Sequence, residues 1–367
     1  MKRALILMVL VLALCSTFFH AIPASAASIP APKINSATLK SVGDNCELSV
    51  TWANVSQANM GYQLNIYNSK NVLTKALTPK KGSTSAKLTV TNDNYTIKIR
   101  SVNKSWLVIT SYSSYTTAKI NMVNPVITTD FNYAVIKPNT ARTILIQTRP
   151  KTPISVSLSN ANVEYGINSG VSFFSAKKHG ETVITIKSAA TQKTIRIYVP
   201  FTTEAVQKIC SEKGYATGTY WSYSLSKGSP TAYTASMYKA TTETATSKGR
   251  PGYGDYVGYS FDNARECMGF AHYIGYRISG FHPWSDWVKF ISKDAVIAEG
   301  GLQVGDIVRA NGHSAVVYSA ANSIVTFAEA WGGTNNIIKI NAPFGGITNC
   351  TTLEAIPNFA YVYRCKK

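Results

Sequence analysis

The sequence predicts a multidomain protein in which two all-β sandwiches precede an α+β domain. Apolar and polar residues alternate with period two over residues 30–121 and again over residues 122–200, as in half-buried strands. After residue 200, apolar residues recur at spacings of three and four, which is typical of helices. The chain of 367 residues is also longer than one ordinary domain of roughly 100–200 residues.

Residues 1–26 have the pattern of a secretory signal. Lys2 and Arg3 form a basic start, residues 4–14 are apolar, and residues 24–26 are small, as at a cleavage site. The apolar run is shorter than a membrane-spanning helix requires. We therefore expect a secreted protein, extracellular or associated with the cell wall, that keeps no transmembrane anchor after cleavage. An uncleaved membrane anchor is the alternative.

The chain is strongly basic, with 37 Lys and Arg against 18 Asp and Glu and a formal net charge of +19. A basic secreted protein is attracted to polyanions, and outside a bacterium these include the anionic polymers of the cell wall. Solubility explains the same excess equally well. The basic residues are spread along the chain without an arginine-rich tract or an aromatic RNA-binding motif, so we expect no specific nucleic-acid partner.

Five of the six cysteines would remain after signal cleavage, so at least one thiol stays free unless two chains are linked. Cys350 and Cys365 could pair, and Cys46 is expected to be buried in the first sandwich. The cysteines lack the spacing of a zinc site. The sequence predicts no metal ion and no other cofactor.

Each of the first two domains contains several strand-like segments separated by turn residues. In residues 30–121 they are Leu48–Trp52, Tyr62–Tyr67 and Tyr95–Arg100, and this domain resembles a fibronectin type III or related Ig-like sandwich. Residues 122–200 resemble a bacterial Ig-like domain, which implies a spacer or an attachment module. Its expected strands are Phe131–Val135, Thr143–Ile146, Ile154–Leu158, Thr182–Ile186 and Lys193–Val199.

Residues 201–367 are predicted to contain helices followed by strands. A helix is expected over 203–214 with a Thr cap and a Gly stop, followed by a Ser-, Thr-, Gly- and Tyr-rich approach loop over 215–260. A helix over 264–279 carries Cys267 on its apolar face. The other expected elements are a second helix over 284–291 and a hairpin made of His313–Ser319 and Ser323–Trp331.

Three residues in this domain form a candidate catalytic set: Cys267, His313 and Glu329. A thiol is a good nucleophile only as the thiolate, and both a helix N-terminus and a neighbouring imidazolium favour that anion. A three-residue turn at 320–322, with Ser319 opposite Ser323, would place His313 opposite Glu329 on one face. A register shift of one residue would put these two on opposite faces.

The order of short motifs in residues 250–335 resembles the CHAP and NlpC-type amidase and peptidase superfamily. The matching segments are Glu266–Ala271, Gly305–Val308, His313–Tyr318 and Phe327–Trp331. The resemblance implies a papain-like domain that hydrolyses amide bonds in the stem peptides or cross-bridges of peptidoglycan. In this superfamily the third residue is often Glu, Asn or a second His. A non-catalytic wall-binding or adhesion protein with a degenerate hydrolase domain is one alternative, and a secreted cysteine protease is another.

Several other polar residues have secondary roles in this hypothesis. His282 is the alternative base, His272 lies on a different side of the helix from Cys267, and His179 belongs to the second sandwich. The backbone N–H of Cys267 would supply half of an oxyanion hole. The suggested helix caps are Asp262 and Asn263, and the suggested donors for the other half of the oxyanion hole are Tyr256 and Tyr259.

Overall fold

The computed structural model describes residues 28–105, 109–212, 217, 220–223, 267–321, 324–331 and 335–367. Several sequence-based expectations lie outside these residues: the signal over 1–26, most of the approach loop, residues 264–266 of the cysteine helix, and Asp262, Asn263, Tyr256 and Tyr259. The chain divides into two compact units. One holds the described residues up to Val126 with Thr148–Pro153 and Ser188–Thr191, and the other holds Ile127–Gln147, Ile154–Lys187 and Gln192–Lys367.

The first unit contains a two-sheet sandwich. One sheet has the order β1-β2-β5 and the other β4-β3-β6-β7, with β8 also paired to β6. Alternate residues of the second strand, from Cys46 to Trp52, are buried, and Trp52 packs edge-on against Tyr62 with ring centroids 5.5 Å apart. The prediction of an Ig-like or fibronectin type III-like sandwich is confirmed. Its strands are β1 Ile34–Val42, β2 Asn45–Trp52, β3 Gly61–Tyr67, β4 Leu73–Leu77, β5 Ser85–Val90, β6 Tyr95–Lys104, β7 Thr110–Tyr112 and β8 Thr116–Ile120.

The following strands form a second sandwich, with sheets of order β10-β17-β16-β13 and β11-β15-β14. Its core contains Phe174, Ile184, Ile186 and Ile197, which are all buried. The second all-β prediction is confirmed. The strands are β9 Val126–Thr129, β10 Tyr133–Val135, β11 Ala141–Ile144, β12 Ile146–Arg149, β13 Ser155–Leu158, β14 Val163–Asn168, β15 Val171–Ala176, β16 Gly180–Ser188 and β17 Thr191–Val199.

The C-terminal region contains a seven-stranded antiparallel sheet of order β18-β23-β22-β21-β20-β24-β19. Successive side chains of its central strands point to opposite faces of the sheet, and each face belongs to a separate hydrophobic core. The described elements are α1 Thr203–Cys210, β18 Tyr220–Tyr223, α2 Cys267–Ser279, α3 Pro283–Asp286, β19 Val288–Phe290, α4 Lys293–Ala298, β20 Ile307–Ala310, β21 His313–Ala321, β22 Ile324–Trp331, β23 Asn335–Ala342, a 3₁₀ turn Phe344–Gly346 and β24 Phe359–Arg364. Among the described residues, no helix is long and apolar enough to cross a membrane.

Two local predictions for this region are corrected. The helix predicted over 284–291 is wrong: α3 ends at Asp286, and Trp287 already has an extended backbone with ψ 151°. Residues Val288–Phe290 instead pair with β24, so a partner strand distant in sequence overrides the local helical spacing. Cys350 and Cys365 are free thiols in two different cores and do not pair.

An ion network connects the second sandwich to the C-terminal region inside the second unit. The Lys366 ammonium lies 2.7 Å from a carboxylate oxygen of Glu181 and 2.7 Å from one of Glu299. Arg196 of β17 donates to Glu299 at 2.9 Å. The backbone N–H of Glu181 also donates to the carbonyl oxygen of Lys366. These contacts explain why residues on both sides of the expected boundary at position 200 belong to one compact unit.

Candidate active site

Helix α2 places Cys267 against the centre of the C-terminal sheet. Cys267, Phe270, Ala271 and Ile274 are buried, as the three-and-four spacing predicted. The helix packs against a core that includes Val316, Ala328 and Ala330 of β21 and β22. The structure describes α2 from Cys267 onward, so Cys267 lies at the N-terminal end of the described part of the helix.

A tight hairpin positions His313 at the start of β21. Asn311 and Gly312 both have positive φ, 48° and 72°, as the central residues of a two-residue type I′ turn require. Ala310 therefore pairs with His313, and Arg309 pairs with Ser314. The turn fixes which side chains stand beside the histidine.

A β-bulge brings Glu329 to the same face as His313. The predicted turn and register are wrong, because Ala321 pairs with Ile324 and Ser319 with Thr326 rather than with Ser323. Continued without interruption, that register would place the carboxylate and the imidazole on opposite faces. The extra residue between Val317 and Ser319 shifts the pairing by one, so Glu329 lies opposite Ala315, diagonal to His313.

The His313 imidazole and the Glu329 carboxylate form a buried pair. His313 Nε2 lies 2.9 Å from Glu329 Oε2, which also accepts the backbone N–H of Gly345 at 2.8 Å. The Phe344 ring packs edge-on against the imidazole, with centroids 5.3 Å apart. Glu329 Oε1 has no hydrogen-bond partner among the described residues. The carboxylate fixes the orientation of the ring and stabilises its cationic form.

Three donors surround the Cys267 sulfur. The thiol is hydrogen-bonded to the His313 side chain and to the backbone N–H of Ser314. Because Glu329 occupies Nε2 of the imidazole, we infer that Nδ1 faces the sulfur. Arg309 Nη1 lies 3.8 Å from Sγ and donates to Ser314 Oγ at 3.0 Å. All three groups favour a negative charge on sulfur.

The pKa values of the thiol and the imidazole are shifted towards an ion pair. Burial alone would raise the pKa of Cys267, but the hydrogen bond and charge of His313, the Ser314 N–H and the Arg309 charge together lower it. Burial alone would lower the pKa of His313, but its interactions with Cys267 and Glu329 raise that pKa to about 9. Both shifts favour a thiolate beside an imidazolium over a neutral pair.

The other thiols in the second unit lie in a different environment. Burial raises the pKa of Cys210 to about 12 and that of Cys365 to about 11. Such thiols remain protonated near neutral pH and are poor nucleophiles. Cys267 is therefore distinguished by donors and charges strong enough to outweigh burial, which all of these cysteines share.

The remaining histidine candidates do not share this arrangement. His272 is buried against Tyr363, and burial with the nearby Arg309 charge lowers its pKa to about 3. His179 stacks on Phe201, and burial lowers its pKa to about 4. His282 precedes α3 and its ring packs beside Tyr276. Within the part of the chain that the structure describes, no group of three or more His, Cys, Asp or Glu could hold a metal ion.

Sequence reasoning missed Arg309, Ser314 and Gly345. The signal for the first two was the Asn311-Gly312 dipeptide, which specifies a two-residue hairpin and hence the pairing of Arg309 with Ser314. Gly345 has no comparable local signal, because its contact with Glu329 depends on the path of the chain after β23.

No family model and no curated protein matches the chain. Among solved structures, domains 4 and 5 of the S-layer protein SbsC are 14% identical, covering 46% of this chain and 98% of theirs with a TM-score of 0.19. A two-domain fibronectin type III segment of chicken tenascin is also 14% identical, covering 46% of this chain and 97% of its own with a TM-score of 0.26. These neighbours are built of all-β domains, and similarities this low support no inference about activity.

Proposed function

We propose that this chain is a cysteine hydrolase that cleaves amide bonds, with a C-terminal domain of the papain-like CHAP or NlpC type. The observation that carries the proposal is the hydrogen-bonded series Cys267, His313 and Glu329. Its members follow in the chain order of that superfamily, and the nucleophile lies on helix α2. The nucleophile, the base and the residue that orients the base all lie in contact.

The proposed reaction has two steps. The Cys267 thiolate attacks the carbonyl carbon, and the N–H of Cys267 stabilises the resulting oxyanion. The His313 imidazolium then gives its proton to the leaving nitrogen as the C–N bond breaks, which leaves a thioester and a free amine. Neutral His313 next removes a proton from water, whose oxygen attacks the thioester, and cleavage of the C–S bond restores the thiolate and releases the carboxylic acid.

The proposed substrate is peptidoglycan, at stem peptides or cross-bridges. Three features support this choice: the signal-like residues 1–26, the two Ig-like sandwiches, and the formal charge of +19, which favours the anionic polymers of a bacterial wall. The corresponding location is extracellular or wall-associated. A secreted protease would share the same chemistry but would act on protein chains instead.

The test is hydrolysis of purified cell walls by the wild-type protein and by Cys267→Ala. Released amino groups and fragment masses identify the bond that is cut. We expect the variant to lose at least about a thousandfold in rate, because removing a catalytic nucleophile has effects of this order. Cys365→Ala is the matched control, since it removes a buried thiol whose pKa burial raises to about 11, and it should retain activity. Undiminished hydrolysis by Cys267→Ala would refute the proposal.

Two further readouts separate the alternatives. Faster cleavage of denatured protein than of wall fragments would identify a secreted protease. A Cys267 that reacts with iodoacetamide no faster than an ordinary thiol at neutral pH, in a protein that still binds walls, would identify a non-catalytic wall-binding protein.

A further inference from the structure

Arg309 differs from the other buried and partly buried arginines of the second unit. Arg196, Arg277 and Arg364 each contact a carboxylate, of Glu299, Glu212 and Asp306 respectively. Arg309 forms no ion pair with the described residues. A partly buried guanidinium without a carboxylate partner is costly unless another anion compensates it.

The guanidinium also retains unused donors beside the thiol. Only Nη1 is engaged among the described residues, with Ser314 Oγ at 3.0 Å and with Cys267 Sγ at 3.8 Å. Nε and Nη2 are left, and together they form the planar fork that binds a carboxylate through two parallel hydrogen bonds. Arg309 is held between β21 and β24, opposite Ser314 on one side and Tyr361 on the other, which limits how far the fork can move.

Two charged side chains lie in the neighbourhood of the fork. Lys289 is an exposed cation whose ammonium lies 4.2 Å from the centre of the Tyr361 ring. The Glu329 carboxylate is the nearby acid, and its Oε2 is committed to His313 and to the Gly345 N–H. A substrate that brings its reacting carbonyl to the sulfur would have its neighbouring residue close to the Arg309 guanidinium, because Nη1 lies 3.8 Å from Sγ.

We propose that Arg309 is a specificity residue that binds a free carboxylate of the substrate within one residue of the scissile amide. This inference rests on the proposed function, since it assigns the substrate class of the same site. Two carboxylates of a wall stem peptide have this chemistry. One is the C-terminal carboxylate of the peptide, and the other is the free α-carboxylate at the branch of an isoglutamyl residue.

The first test needs no turnover. Iodoacetate and iodoacetamide alkylate the same thiolate but differ in carrying a carboxylate or an amide, so the ratio of their rates is independent of the thiolate pKa. Rates at Cys267 are measured by mass spectrometry on the full chain and normalised to those of 2-mercaptoethanol. Arg309→Met should lower the iodoacetate-to-iodoacetamide ratio about tenfold, because charge-assisted hydrogen bonds contribute effects of about this size. Arg309→Lys should retain part of the preference.

Lys289→Met is the matched control, since it removes an exposed neighbouring cation but leaves the fork intact. Its ratio should stay within about twofold of the wild-type ratio, as expected of a solvent-screened charge. A ratio unchanged in Arg309→Met would overturn the inference. A parallel fall of both rates would also overturn it, because Arg309 would then act only by stabilising the thiolate.

The second test identifies the carboxylate. A synthetic wall stem peptide is prepared in four forms, with the terminal and the branch carboxylate each free or amidated. Amidation of the recognised group should lower kcat/KM of the wild type about 10- to 100-fold and have little effect on Arg309→Met. Indifference of the wild type to both amidations would overturn the inference. No turnover of any form, with the alkylation preference intact, would refute the proposed wall-peptide hydrolysis and leave the carboxylate site standing.

Discussion

Two buried charge clusters in the C-terminal region differ in how completely their hydrogen bonds are satisfied. In the first, Arg364 donates from Nε and Nη2 to both carboxylate oxygens of Asp306, at 2.9 and 2.7 Å, and from Nη1 to the carbonyl oxygen of Glu299 at 2.7 Å. Asp306 also accepts the backbone N–H of Gln303. Each charged group in this cluster meets fixed partners, so nothing is available for a ligand.

In the second cluster, around Cys267, the acid and the arginine both have polar atoms that form no hydrogen bond with the described residues. Glu329 Oε1 and the Nε and Nη2 atoms of Arg309 make no hydrogen bond with the described residues, while the sulfur collects donors. A charge cluster in which every hydrogen bond is made stabilises a fold. A cluster with unpaired polar atoms is retained where chemistry or binding requires it. The comparison explains why Asp306, whose carboxylate oxygens are both engaged by Arg364, has a structural role here.

The largest expected effect is on stability, in the satisfied cluster. Arg364→Met leaves Asp306 buried without its cation, and breaking such a pair costs about 3–5 kcal/mol. We expect the free energy of unfolding, measured by urea denaturation, to fall by this amount. The double variant with Asp306→Leu should recover part of the loss, because it removes the orphaned charge. A loss below about 1 kcal/mol in the single variant would contradict the structural role.

In the Cys267 cluster, Glu329→Gln should reduce activity more than stability. The change keeps the shape of the side chain but removes the charge that stabilises the His313 imidazolium. We expect kcat/KM on wall peptides to fall about 10- to 100-fold, because a charge-assisted hydrogen bond is replaced by a neutral one. The alkaline limb of the pH profile should move to lower pH. Asp306→Asn is the matched change in the other cluster and should affect unfolding more than chemistry.

The sequence identified features that depend on local pattern and missed features that depend on distant parts of the chain. Alternation in β2, β3 and β6 identified the strands because each side chain reports its own face. The order of Cys267, His313 and Glu329 along the chain was likewise visible without knowledge of the fold. The bulge after Val317 and the pairing of Val288–Phe290 with β24 were not, since both depend on partners elsewhere in the fold. Local patterns cannot specify contacts that only the assembled sheet creates.

The rate of the proposed hydrolysis should depend on pH through Cys267 and His313. The pKa of His313 is raised to about 9, so the imidazolium that protonates the leaving amine is present below that pH and is lost above it. We expect kcat/KM to fall about tenfold per pH unit well above 9. On the acid side it should fall as the thiolate is protonated, below the ordinary pKa of a cysteine. A profile that keeps rising to pH 10 would contradict the ion pair.

The smallest effect is expected at Arg277, which lies in neither cluster. It contacts Glu212 at 2.7 Å, but both side chains are about one-third exposed, so solvent screens the pair. A double-mutant cycle of Arg277→Ala and Glu212→Ala should give a coupling of about 0.2–1 kcal/mol in urea denaturation. The alkylation rate of Cys267 should not change in any of these variants. A coupling above about 2 kcal/mol would show that proximity of charges, rather than completeness of burial and hydrogen bonding, determines what an ion pair contributes in this domain.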